Sequence, residues 1–250
     1  MIAPEFIALD GGVAAEVLDE LDSTNAEALR RIRSGNAREG WIVARRQTGG
    51  RGRHGRAWVS EPGNLFASRL LKADCPRACA PELSFVTSLA VRDAARDVLG
   101  QTVDVTCKWP NDVLVGGAKV AGILLESEGA GPKADWVVIG VGVNVACAPE
   151  NVMFRATSIR ADGGAATPDD MLTVLHRRLD HWLFIWRQRG FAAIRDAWMG
   201  SAARLGETVT VGQGPAGITG RFVDLDADGG LVLELPDGGT RTITAGDVLF

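Results

Sequence analysis

Residues 47–58 read QTGGRGRHGRAW, and with Arg45 and Arg46 just before them they gather five arginines and four glycines. No acidic residue falls between Glu39 and Glu61. A glycine backbone lets a ligand come close. Each guanidinium can hold a phosphate or carboxylate through two parallel hydrogen bonds. The chain as a whole has a formal net charge of −4. Positive charge concentrated on one flexible stretch of such a chain points to an anionic ligand that carries phosphate. A solvated basic loop without a ligand is the competing interpretation.

GRGRHG, Gly50 to Gly55, matches the dinucleotide fingerprint G-x-G-x-x-G letter for letter. That fingerprint must follow a strand and open a helix, so that pyrophosphate rests on the helix N-terminus. The residues that follow, RAWVSEPGN, break at Pro62-Gly63 before a helix can form, so the match is rejected. No G-x-x-x-x-G-K-[ST] occurs, which excludes a P-loop nucleotidase. An RNA-binding RG segment would repeat in a low-complexity tail, whereas this one is single and lies between two expected strands.

Other polar clusters are weaker one by one. Lys108-Trp109-Pro110-Asn111-Asp112 ends an apolar run, where a lysine, an amide and a carboxylate can line a pocket. Such a carboxylate can bind Mg²⁺ beside nucleotide phosphates, and an ordinary Asn-Asp turn is the alternative. Lys119 opens VAGILLE. Strict alternation places it on one face with Ala121, Ile123 and Leu125, where an ammonium wants an anion unless its head escapes to solvent. Gly140-x-Gly142-x-Asn144 ends a nearly continuous apolar strand, and its glycines allow a ligand to lie against the backbone. His176 and His181 are five apart, the wrong spacing for two zinc ligands on one helix face, and are expected to be surface or packing residues.

Positioning elements can be read from periodicity and punctuation. Asp22-Ser23-Thr24 caps a helix that ends near Ser34-Gly35. Strands are expected over 41–45 and 64–71, a helix over 81–99, and strands over 103–109 and 113–115. Gly116-Gly117 turns into a strand over 119–126, and a covered central strand runs over 136–145. Thr167-Pro168-Asp169-Asp170 starts a long helix, and 191–199 form a second short one. From Gly206 short strands alternate with Gly, Asp and Pro, the texture of a small barrel built from hairpins, with a boundary near Arg204. The chain's 250 residues, 46% of them hydrophobic, suffice for one large domain and a small second one. Mild acidity argues against a general nucleic-acid or membrane-surface binder. The four cysteines (Cys75, Cys79, Cys107 and Cys147) lack zinc spacing and suit a reducing compartment. With neither a signal peptide nor an apolar stretch of ~20 residues in view, a soluble cytoplasmic protein is expected.

Together, STN (Ser23 to Asn25), Q-x-x-GRGR-x-GR-x-W (Gln47 to Trp58), KWPND (Lys108 to Asp112), K-x-AGIL-x-E (Lys119 to Glu126), G-x-G-x-N (Gly140 to Asn144) and ATS (Ala156 to Ser158) occur in an order that resembles the biotin protein ligase family. The resemblance covers roughly residues 20 to 250. It implies an α+β fold: a catalytic domain over 1–203, with a mixed sheet and packed helices, followed by an SH3-like barrel over 204–250. It implies a reaction in which biotin and ATP form biotinyl-5′-AMP, whose acyl group passes to a lysine of a carrier protein. That carrier would be the biotin carboxyl carrier of acetyl-CoA carboxylase or another biotin-dependent carboxylase.

By motif, Ser23, Thr24, Asn25 and Gln47 should line the biotin site, and Gly122 should let biotin lie against its strand. Arg51, Gly52 and Arg53 should wrap the adenylate, with Trp58 beside it, and Arg56 should assist with the triphosphate or with loop closure. Lys119 should reach the biotin carboxylate and the α-phosphate; it and Arg53 are the expected catalytic residues. Lys108, Asn111 and Asp112 should face ATP and Mg²⁺, with Asp112 the candidate metal ligand and Asn144 near the nucleotide. Only 22 residues precede Ser23, too few for the helix-turn-helix some family members carry, so DNA binding is not expected. Gly49 stands where the family often has alanine and His54 where a further arginine is common. A lipoate-type ligase, a nucleic-acid-binding protein and a non-catalytic biotin-binding module remain as rivals, and monomer and homodimer stay open.

Overall fold

The computed structural model describes residues 5–72, 79–129, 134–150, 152, 154–212 and 217–250. Its larger part is an eight-stranded sheet. In chain order the strands are β1 (Glu5–Ala8), β2 (Ala14–Leu21), β3 (Gly40–Gln47), β4 (Leu65–Lys72), β5 (Val105–Lys108), β6 (Asp112–Val115), β7 (Ala118–Glu128) and β8 (Trp136–Val143). They lie in the order β1-β2-β3-β4-β8-β7-β6-β5. β2 and β3 run parallel and the remaining pairs are antiparallel, so the sheet is mixed. β1 and β2 were not foreseen. β2 reads AAEVLDEL, in which only Ala15 and Val17 are buried, so its apolar signal is thin.

Helix α1 (Thr24–Arg33) lies across β3, β4 and β8 on one face, over a small core of Ala28, Leu29, Ile42, Leu70 and Val138. Ser23 caps it, its Oγ accepting from Ala26 N at 3.4 Å. Helices α2 (Glu82–Leu99) and α3 (Pro168–Met199) cover the opposite face and pack on each other. α3 opens on a reciprocal capping box between Thr167 and Asp170. It breaks at Gly190, whose φ of 70° divides it where two helices were expected. Cover on both faces explains why β8 reads as a nearly unbroken apolar run and why β4 is buried along almost its whole length, Ser68 and Arg69 included. Buried His176 accepts from Trp41 Nε1 at 3.3 Å and contacts Asp10 O at 3.0 Å, the packing role expected of it.

Strands β9 (Thr208–Val211), β10 (Ile218–Leu225), β11 (Leu231–Glu234), β12 (Thr240–Ile243) and β13 (Val248–Leu249) form a second, antiparallel sheet in the order β12-β11-β10-β9-β13. β13 was not anticipated. Its apolar residues join the main core, and Trp109 Nε1 donates to Gly229 O at 3.0 Å, so the two sheets are firmly joined. No helix among the described residues is long and apolar enough to cross a membrane. Cys107 is fully buried, and that burial pushes its thiol up to about 12, which leaves it inert. Cys75 lies outside the described residues.

Candidate active site

A cavity of about 260 Å³ opens on the α1 face of the large sheet. Ser23, Thr24, Asn25, Gln47, Gly122 and Asn144 line it, and so do Arg51, Gly52, Arg53, Arg56, Trp58, Asn111, Asp112 and Lys119. The structure thus gathers every sequence-predicted site residue except Lys108.

One end is neutral. The Thr24 amide donates to Gln47 Oε1 at 2.8 Å. Asn25 Nδ2 donates to Glu126 Oε2 at 2.8 Å and to Leu124 O at 3.2 Å. The Ser68 hydroxyl donates to Asn25 Oδ1 at 2.6 Å and lies 2.7 Å from Thr24 Oγ1. Ser68 is fully buried and was missed; a hydroxyl inside the apolar run LFASRLL was the available signal. Gly140 makes room for this network, because a Cβ there would lie 2.3 Å from Asn25 Oδ1.

The arginine stretch folds into a tight hairpin rather than an open loop. Arg51 bridges to Ala57, Gly52 N donates to Arg56 O at 2.7 Å and Trp58 N to Gly50 O at 2.9 Å. A strand, β4, follows it in place of the helix a dinucleotide fold needs. The hairpin lays the Trp58 indole over the paired glycines Gly122 and Gly142, where added Cβ atoms would approach the ring to 2.8 and 2.5 Å. These glycines were expected to admit a ligand, yet here Gly140 admits Asn25 and its neighbours admit Trp58. Trp58 Nε1 is buried without a hydrogen-bond partner.

Lys119 reaches the cavity by a route the alternation did not foresee. Leu114 pairs with Lys119 but Val113 with Ala121, so Val120 is an extra residue, a β-bulge. The bulge reverses the expected face. Val120, Ala121 and Ile123 pack in the main core, while Lys119 joins Gly122 and Leu124 on the cavity wall. Its backbone is claimed by the ATS segment, with Lys119 N donating to Arg155 O at 2.8 Å and Thr157 N to Lys119 O at 2.9 Å.

At this end carboxylates answer the cations. Lys119 Nζ lies 2.6 Å from Asp112 Oδ1, Arg51 3.6 Å from Glu126 and Arg56 2.9 Å from Asp247. Arg53 donates to Asn111 Oδ1 at 3.4 Å and to Gly246 O at 3.3 Å. Burial holds its guanidinium below the usual arginine range. Asn111 Nδ2 donates to Ile123 O at 2.6 Å and Asn144 Nδ2 to Thr157 O at 3.0 Å, fixing both amides.

Lys108 stands apart. Its ammonium lies 4.0 Å from the Phe154 ring centre and 4.6 Å from that of Phe250, off the cavity wall. Burial pulls it below the usual lysine range. Of the two rings only Phe154 touches the cavity, so Lys108 sits behind the wall it was expected to line.

A buried neutral pocket that runs into a rank of cations is the architecture of a ligase-type site, in which a carboxylate meets a phosphate. Comparison with known proteins agrees. Residues 17–144 match the model of the biotin/lipoate A/B protein ligase family, and 205–250 that of the biotin protein ligase C terminal domain. A biotin–[acetyl-CoA-carboxylase] ligase of Paracoccus denitrificans is 42% identical over 94% of this chain and 99% of its own length. One from Mycobacterium tuberculosis is 36% identical over 94% of this chain and 88% of its own. A biotin protein ligase from Aquifex aeolicus in complex with biotin and ATP superposes with a TM-score of 0.78 at 30% identity, covering 94% of this chain and 97% of that one. The chain belongs to the biotin/lipoate A/B protein ligase family.

Proposed function

We propose that the chain is an ATP-dependent biotin protein ligase. It joins biotin to ATP as biotinyl-5′-AMP and then passes biotin to a lysine of a biotin carboxyl carrier protein. The observation that carries this reading is one cavity with a neutral hydrogen-bonding end and a cationic end, in a chain of this family.

Ser23, Thr24, Asn25 and Gln47 bind the polar ring end of biotin, whose donors and acceptors suit amides and hydroxyls already held in place. The carboxylate of biotin then points toward Lys119 and Arg53. Carboxylate oxygen attacks the α-phosphorus, and pyrophosphate leaves. Both reactants are anionic, so fixed cations lower their repulsion and stabilise the charge of the transition state. Arg51, Gly52 and Arg56 wrap the phosphates, with Asn111 and Asn144 beside the nucleotide and Trp58 free to stack on it. The hairpin shields the mixed anhydride from water. In the second step a neutral lysine amine of the carrier attacks the acyl carbon, and AMP leaves.

Among the described residues no three of His, Cys, Asp and Glu converge, so they offer no protein cage for a metal. Asp112 is the one carboxylate among the described residues on the cavity wall. It is the residue that would hold a Mg²⁺ ion arriving with the nucleotide. When bound, Mg²⁺ would neutralise charge on the phosphates. We read the second sheet as an SH3-like barrel that begins near Arg204, after a catalytic domain over 1–203. The carriers we propose are acetyl-CoA carboxylase and kindred biotin-dependent carboxylases, in the cytoplasm.

Pyrophosphate release, with biotin and lipoate supplied separately with ATP and Mg²⁺, tests the reading. Release with biotin alone is expected. Release with lipoate and not with biotin would overturn it.

A further inference from the structure

Asp247 differs from the other carboxylates that meet the site's cations. Asp112 and Glu126 belong to β6 and β7 of the large sheet, whereas Asp247 comes from the second sheet, between β12 and β13. Its backbone is pinned there. Gly212 N donates to Asp247 O at 3.0 Å, and Val248 pairs with Val211. At the preceding Gly246 a Cβ would meet Val211 Cγ1 at 2.6 Å, so this corner fits tightly against β9. The hairpin it faces is tethered more lightly, with the Arg56 side chain 46% exposed and that of Asp247 25% exposed. Arg56 lies 2.9 Å and Arg53 3.9 Å from Asp247 Oδ1. An exposed pair of this kind is weak and readily exchanged.

A triphosphate offers the same two guanidinium groups more charge and more acceptor oxygens than one carboxylate can. We infer that Asp247 is a resident counter-ion of the arginine hairpin, and that Arg53 and Arg56 exchange it for nucleotide phosphate when ATP binds. Asp247 is therefore a positioning residue that sets nucleotide affinity from the second sheet. It competes with the substrate for the hairpin, and the exchange frees the hairpin from that sheet. By linkage, occupancy of the nucleotide site is felt at the Gly246-Asp247 corner. The inference rests on the proposed ligase reading.

The test uses the full chain and biotin-dependent exchange of labelled pyrophosphate into ATP. Absence of exchange in the unmodified protein would remove the ligase reading itself, before any variant is made. Given exchange, Asp247→Asn removes the charge with little change of shape. The KM for ATP is expected to fall roughly 2- to 5-fold, the range an exposed ion pair sets, while the KM for biotin holds. The fall should vanish when Arg56→Gln, which removes the nearer guanidinium, is already present, and Asp247→Glu should keep the original value. A purely structural role for Asp247 would raise the KM for ATP or lower kcat instead, and either result, or an unchanged KM, overturns the inference. If Asp247→Asn does not fold, Asp247→Ser is measured against the same expectation.

Discussion

At one end of the cavity Thr24, Asn25 and Ser68 bond to one another, to Gln47, to Glu126 and to backbone, and each is at most 4% exposed. At the other end Arg51, Arg53, Arg56 and Lys119 have side chains 21 to 47% exposed and rest against carboxylates of the same chain. Buried neutral groups are costly to leave unmade, so the first end is fixed when the chain folds. Half-exposed ion pairs cost little to break, so the second end can change partners as substrates arrive. Recognition by shape and stabilisation of moving charge thus fall to different physics within one cavity.

The largest effect should come from the cationic end, at the cation nearest a partner. Lys119→Ala is expected to slow adenylate formation by about 100-fold or more, the usual loss when one preorganised donor to a developing charge is removed. The thermal unfolding profile should keep its shape, because Lys119 adds nothing to the main core. Near-normal adenylation in single-turnover assays would break the division of labour between the two ends.

The neutral end is sharpened from behind. In Gly140→Ala the new methyl would lie 2.3 Å from Asn25 Oδ1, so Asn25 must shift and cannot keep all of its bonds to Ser68, Leu124 and Glu126. Losing one or two buried hydrogen bonds, at about 1–3 kcal/mol in all, should weaken biotin binding by roughly 10- to 100-fold in titration calorimetry. Gly200→Ala has no contact closer than 3.5 Å and should leave binding alone. Equal affinities for the two variants would mean that Asn25 does not hold the biotin ring.

The arginine hairpin ranks next. Arg53 is the least exposed of its arginines and ties the hairpin to Asn111 and to Gly246 O. Arg53→Gly should let biotinyl-5′-AMP escape about tenfold faster, the equivalent of one charge-assisted hydrogen bond. A dissociation rate equal to that of the unmodified protein, followed by filter retention of labelled adenylate, would show that this arginine does not restrain the intermediate.

Legibility in the sequence follows the same divide. Groups that act where they stand in the chain were readable: the Ser23 cap and the position of the arginine stretch between two strands, with Asn25 and Gln47 reached through the family resemblance; that the stretch closes into a hairpin was not. What depends on register was not. One extra residue, Val120, turns Lys119 onto the cavity face, and no residue type announces a bulge there. The glycines at 140 and 142 did signal close approach, yet only the packed structure says that Asn25 and Trp58 are what approaches. Asp247 lies 191 residues from Arg56, and nothing local in TAGDV marks it as a partner of that arginine. Lys108 misled for a related reason: a strand end places a side chain near a pocket, but Phe154 and Phe250 decide which side of the wall it occupies.

The smallest expected effect tests the comparison from outside the cavity. Arg69 follows Ser68 in β4, so its side chain points to the opposite face, toward α3. It is 6% exposed, and its Nε and Nη1 have no hydrogen-bond partner. Burial holds its guanidinium below the usual arginine range, with Asp180 and Glu39 too weak to restore it. Here is a cation that, unlike those of the cavity, carries its desolvation without a close carboxylate. Replacing such a buried charge by an apolar chain of similar length is often neutral or stabilising. Arg69→Met should therefore raise Tm by about 2–4 °C, the shift that ~1 kcal/mol brings at this chain length, and leave biotin-dependent pyrophosphate exchange unchanged. A fall in Tm would mean that the Arg69 guanidinium is held by interactions stronger than its geometry shows. Buried cations would then need no carboxylate in this fold, and the pairing along the cavity would lose its significance as a device for exchange.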